Sequence, residues 1–329
     1  MRRAPLVAAV AALAALALSP TAPAATGLRW ATFRHVKGII DMAGPRADGR
    51  FLVAREVGVT LLGPGRRLGP FAPDFLSGYF VESHLAVSPG LAVRSARCAW
   101  RRDAVYAIAY TQPDAVQRID SRGTAHRFAG VPGTGVLSGI AFDYVGDFGH
   151  RLLVTRKDVG GTSSLSAVDC RGRTTVVATG IPPVEGGMQV APRSFGRHAG
   201  ELVAPDEISG DVAAIRPDGR WTTISPSLPR GDDIGPEGVG FVPPGFGPRD
   251  HAYLVDRKFQ PPYTGTQSIL ALGGGALLRA GVRPGDLLVA TESGGLTARV
   301  RCGRRGCSAR RVAAAFGVTH AESNIVFGP

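Results

Sequence analysis

Short apolar runs that end in a polar or charged residue recur along this chain. They read Phe51–Glu56 (FLVARE), Leu152–Lys157 (LLVTRK), Leu202–Glu207 (LVAPDE), Tyr253–Lys258 (YLVDRK) and Leu287–Glu292 (LLVATE), with a looser copy at Val105–Thr111 (VYAIAYT). Runs of this length, rich in Val, Leu and Ile, predict strands rather than helices. Most are followed by a further strand-like run, such as 58–62, 165–168, 212–215 or 268–272. A second piece often precedes them: a polar residue, a small residue and then an apolar strand. Its copies start at Lys37, Glu82, Ser138, Glu185, Glu237 and Glu322, spaced 45, 56, 47, 52 and 85 residues apart. The last gap is long enough for two units.

A repeat of about 50 residues with four short strands predicts the blades of a β-propeller. Residues 26–329 divided by that period predict about six blades of four antiparallel strands in one all-β domain. The turns Arg122-Gly123, Arg171-Gly172 and Asp218-Gly219 fall where the outer two strands of a blade would join. The chain's 45 glycines and 25 prolines leave little room for helices. Glu322–Phe327 can close the ring, and so can Gly38–Met42.

The pieces Ser138–Asp143 (SGIAFD) and Glu237–Val242 (EGVGFV), with Ala214–Gly219 (AIRPDG), resemble blade starts of the gluconolactonase, strictosidine-synthase and NHL-repeat group of six-bladed propellers. The resemblance extends over the chain as a blade rhythm. It implies a divalent cation in the central channel, often with hydrolase or lactonase activity. In the lactonase branch Glu, Asn and Asp hold the calcium. The one Asn here, Asn324, stands beside a Glu on the last predicted strand, not in a middle blade.

The N-terminus changes the picture of where the protein works. Met1-Arg2-Arg3, the apolar run 4–18 and the small-residue stretch Ala22-Pro23-Ala24 predict a cleaved secretory leader over residues 1–25. The run is shorter than a membrane-spanning helix needs. An exported protein that does not span a membrane, and is monomeric, is expected. The four cysteines suit an oxidising compartment. Cys302 and Cys307 flank a Gly-bounded tetrad between strand-like runs and predict a hairpin disulfide, which leaves Cys98 and Cys170 to pair by elimination.

Net charge is +12, carried almost wholly by Arg, since Lys occurs only at Lys37, Lys157 and Lys258. This field favours anionic ligands or polymers. Nothing interleaves aromatics with the arginines, so no nucleic acid is expected as partner. A G-x-S-x-G elbow and an H-E-x-x-H helix are both missing from the sequence.

Against this basic background, acids concentrate where blade starts and second-strand ends would meet the channel: Glu82, Glu185, Glu237 and Glu322, with Glu56, Asp206, Glu207, Asp256 and Glu292. Converging carboxylates repel unless a cation or shared protons intervene. Glu82, Glu185, Glu237, Glu322 and Asp206 are therefore candidate ligands for Ca²⁺ or another divalent cation, which oxygen donors suit. Ion pairs with nearby Arg and with the three lysines, which occupy the same repeat positions, are one competing arrangement, and turn capping in solvent is another. His84 and His320 each lie two residues from a candidate Glu, on the same face of a strand, and are candidate general bases. Two functions follow: a secreted propeller that binds a small ligand, polymer or partner, with or without a cation at the channel mouth, or a metal-dependent extracellular hydrolase of esters or lactones.

Overall fold

The computed structural model describes residues 27–76, 83–109, 114–258, 264–315 and 319–329. The predicted leader and Glu82 lie outside them. The described chain is nearly all β, and four of its sheets are four-stranded and antiparallel. Their first strands are β1 (Ile39–Ala43), β2 (Leu85–Val87), β3 (Val136–Phe142) and β4 (Gln189–Val190). From β1, for example, the sheet continues through Phe51–Arg55, Val57–Leu62 and Leu68–Leu76.

The remaining large sheet has nine strands and contains two more such units. One starts on β5 (Pro236–Phe241) and continues through Leu287–Thr291, Thr297–Cys302 and Cys307–Ala314. The other starts on β6 (Ala321–Gly328) and continues through His251–Asp256, Ser268–Gly273 and Ala31–His35. The two units meet where β5 and β6 run parallel, at Val239 and Asn324. Among the described residues the long gap after Glu237 thus holds no inner strand of its own. It holds second and third strands of two units whose inner strands lie at its ends.

Each apolar run is buried on both faces, which is why it reads as continuous rather than alternating. Leu52 and Ala54 pack with Leu85, Val87 and Val105 of the next unit, while Phe51 and Val53 pack with Tyr253 and Val255 of the preceding one. Leu152 and Val154 likewise face one neighbour and Leu153 the other. Among the described residues six apolar clusters arise this way, each between two adjacent units, and the last joins the unit of β6 back to that of β1. The predicted turn glycines Gly123, Gly172 and Gly219 sit between third and fourth strands with φ near +80°, a conformation glycine adopts freely. Both disulfides are present, Cys98–Cys170 and Cys302–Cys307.

Candidate functional site

Where the apolar runs end, so does the packing that buries them, and the residues just beyond face the starts of the inner strands. Glu292 follows the strand 287–291, and its N–H donates to Gly235 O at 2.8 Å, which seats it beside Glu237 on β5. Its own carbonyl accepts from Ala321 N at 2.9 Å, which brings in Glu322 on β6. One carboxylate oxygen from each of Glu237, Glu292 and Glu322 lies within 4.8 Å of the other two, and all three residues are buried.

Two cations partly balance this trio. Arg257 Nη1 reaches both oxygens of Glu322, at 3.0 and 3.1 Å. His320 bridges two acids, with Nδ1 2.8 Å from Glu292 Oε1 and Nε2 2.5 Å from Glu322 Oε1. Asp256 holds this corner by accepting from His320 N at 2.9 Å, and Arg257 N donates to His320 O at 2.9 Å. Burial opposes charge on His320, but its hydrogen bonds to Glu292 and Glu322 prevail and raise its pKa to about 10. Burial likewise pushes Glu322 up, yet Arg257, His320 and His84 prevail and hold it below the usual carboxylate range. Glu292 is raised, by burial first and by Glu322 and Asp233 as well, despite the His320 contact.

Further round the same rim, burial and the neighbouring charges of Glu292, Glu185 and Asp232 push Glu207 up to about 9. Two buried oxygens, Glu292 Oε2 and Asn324 Oδ1, have no hydrogen-bond partner among the described residues.

The sequence-predicted residues divide clearly. Glu237, Glu322 and His320 come together. Glu185 forms an ion pair with Lys157 instead. Lys37 and Lys258 are exposed. Asp206 caps its own turn, with Oδ2 accepting from Ser209 Oγ at 2.6 Å. His84 is buried, close enough to Asp41 and Glu322 to oppose the upward push of burial on each. Glu292 and Arg257 join the site without having been singled out as its members. Both stand just past a second strand, at the repeat position already marked by charge, and that signal could have found them.

No family model and no curated protein matches this chain. Solved structures do. A putative oxidoreductase (glucose dehydrogenase) from Thermus thermophilus is 19% identical over 89% of each chain, with a TM-score of 0.53. A chain of the nidogen/laminin complex is 11% identical over 89% of this chain and 86% of that one, with a TM-score of 0.50. A putative gluconolactonase covers 91% of this chain and 84% of its own at 10% identity, with a TM-score of 0.45. At such identities the likeness is one of fold. The chain is a β-propeller.

Proposed function

We propose that residues 26–329 form one exported six-bladed propeller that binds a divalent cation, Ca²⁺ before others, at the acidic end of its channel. Through it the protein would bind an oxygen-rich small ligand or polymer. The carrying observation is the buried meeting of Glu237, Glu292 and Glu322. The donors fit such an ion. All are oxygens, which suit a hard cation. Glu292 Oε2 is buried without a hydrogen-bond partner among the described residues, a costly state that a cation relieves. Glu322 is already neutralised by Arg257 and His320, so Glu237 and Glu292 are the residues that would hold the ion. A bound cation supplies a positive point for carboxylate or hydroxyl oxygens of the ligand.

Export is supported by the leader-like N-terminus and by two disulfides. Six blades are supported by the cyclic order of the apolar clusters. Binding stands ahead of hydrolysis because of His320. A general base must be free to take a proton near neutral pH. Both ring nitrogens of His320 already face carboxylates, Nδ1 at Glu292 and Nε2 at Glu322.

The test is thermal. A ligand that binds only the folded state at 100 times its Kd adds about 2.7 kcal/mol. Millimolar Ca²⁺ should therefore raise the Tm of chelator-treated protein by several degrees. The double variant Glu237→Gln/Glu292→Gln should lose that response and keep the wild-type β spectrum. Identical melting with chelator and with Ca²⁺ would mean that the acids serve internal ion pairing alone.

A further inference from the structure

Away from the channel site, the hairpin bridge Cys302–Cys307 has surroundings that a purely structural bridge does not need. The two cysteines are direct cross-strand partners. The turn between them is already closed by Gly303 N donating to Gly306 O at 2.8 Å. The bridge spans a sequence separation of 5, against 72 for Cys98–Cys170, so it restrains the unfolded chain far less. Its two halves differ in access: Cys307 is exposed and Cys302 is buried.

A buried histidine stands beside the sulfurs. A ring nitrogen of His198 and both Sγ atoms lie within 4.8 Å of one another. The short 3-10 turn Gly196–His198 is pressed onto the hairpin tip, with Arg197 N donating to Gly303 O at 3.3 Å. A Cβ on Gly196 would stand 2.6 Å from Cys302 O, so the turn approaches as closely as glycine allows. Glu201 fixes the ring from the other side, with Oε2 2.8 Å from His198 Nδ1. Carboxylate and imidazole thus stand together beside the disulfide. Outside the bridge, Arg304 and Arg305 are exposed at the tip.

We propose that Cys302–Cys307 is a thiol–disulfide exchange site for a small, carboxylate-bearing thiol. The incoming thiolate attacks Cys307 Sγ and forms a mixed disulfide there. The Cys302–Cys307 bond breaks, and its electron pair leaves on Cys302 as a thiolate. His198, its ring held by Glu201, is a positioning residue that sets a ring nitrogen beside the sulfur carrying this leaving charge. A second equivalent of the thiol attacks the mixed disulfide at the small molecule's sulfur. The small-molecule disulfide departs and Cys307 is left as a thiolate. Two small thiols are oxidised and the protein's bridge is reduced. Arg304 and Arg305 supply the charge that selects an anionic thiol.

The experiment treats folded, oxidised full-length protein with reduced glutathione, quenches by alkylation and maps the adducts. The expected product is a glutathione adduct on Cys307, forming about tenfold or more faster than any on Cys98 or Cys170. Cationic 2-aminoethanethiol should react more slowly, and Arg304→Ser/Arg305→Ser should erase that preference. His198→Gln should slow exchange at Cys307 about tenfold, leaving the β spectrum and the Cys98–Cys170 bridge unchanged. The reduced wild-type protein should show thiolate absorbance at neutral pH that this variant lacks. If His198→Gln does not fold, Glu201→Gln gives the same comparison. Equal rates at both bridges, adducts on Cys302, exchange only after unfolding, or wild-type rates in the folded variants would each overturn the proposal.

Discussion

Arg257, Glu322 and His320 show how a buried charge survives in this protein. Taking an ion out of water costs several kcal/mol unless partners surround it. Glu322 is wholly buried, and it keeps its charge because Arg257 grips both oxygens and His320 a third direction. The arrangement makes stability depend on pH in a definite sense. His320 binds its proton more tightly folded, at about 10, than unfolded, at 6.5. Its contribution is therefore complete below pH 6.5 and is lost as pH rises toward 10. Glu207, raised from 4.5 to about 9, acts in the same direction over its own window. Measured with chelator present, Tm should fall as pH is raised from 6.5 to 10. His320→Gln should be less stable at neutral pH and should flatten the slope between pH 6.5 and 10. An equal slope in wild type and variant would refute this assignment.

At the scale of elements, β5 and β6 come together because glycine lines their contact. A Cβ at Gly240 would lie 2.1 Å from Ile325 O, and one at Gly238 3.4 Å from Ser323 O. Backbone that close cannot yield as a flexible side chain can. Gly240→Ala should cost about 3 kcal/mol, the upper range for overpacking, measured by denaturant unfolding. Gly69→Ala is the internal control. Nothing lies within 4 Å of a Cβ there and its φ is not positive, so the change should be neutral or stabilise by up to about 1 kcal/mol. The same contact explains the strand exchange. With β6 lying alongside β5, His251–Asp256 pairs with β6, and β5 takes Leu287–Thr291 as its partner.

For the whole molecule, both ends of the described chain are stitched into the last two units. Ala31–His35 forms the outer strand beside Ser268–Gly273, while Leu28–Arg29 runs parallel to Cys307–Ala314. Between them Trp30 is buried, its Nε1–H donating to Thr297 Oγ1 at 2.8 Å across a separation of 267 residues. Trp30→Ala should therefore destabilise the domain as a core substitution does, by about 3–5 kcal/mol. The loss should show in a single unfolding transition, since each unit packs on two neighbours. A loss under about 1 kcal/mol, the range of surface changes, would mean that the N-terminal segment does not help close the ring.

The sequence alone determined what is local and repeated. Apolar runs buried on both faces, turn glycines between outer strands and charged residues at strand ends follow from strand geometry, so they recur wherever a unit recurs. The Cys302–Cys307 hairpin is legible for the same reason, because its partners are 5 residues apart. Only the tertiary structure decided which inner strand each run joins. Tyr253–Asp256 and Leu287–Thr291 are alike in pattern, and either could serve β5; close packing of Gly240 on Ile325 is a fact of three dimensions. It also decided which acids meet. Glu185 and Glu237 occupy equivalent repeat positions, yet Lys157 takes the first while Glu292 and Glu322 gather round the second. Charge interactions depend on distance across the rim, and Arg257 reaches Glu322 over 65 residues of chain.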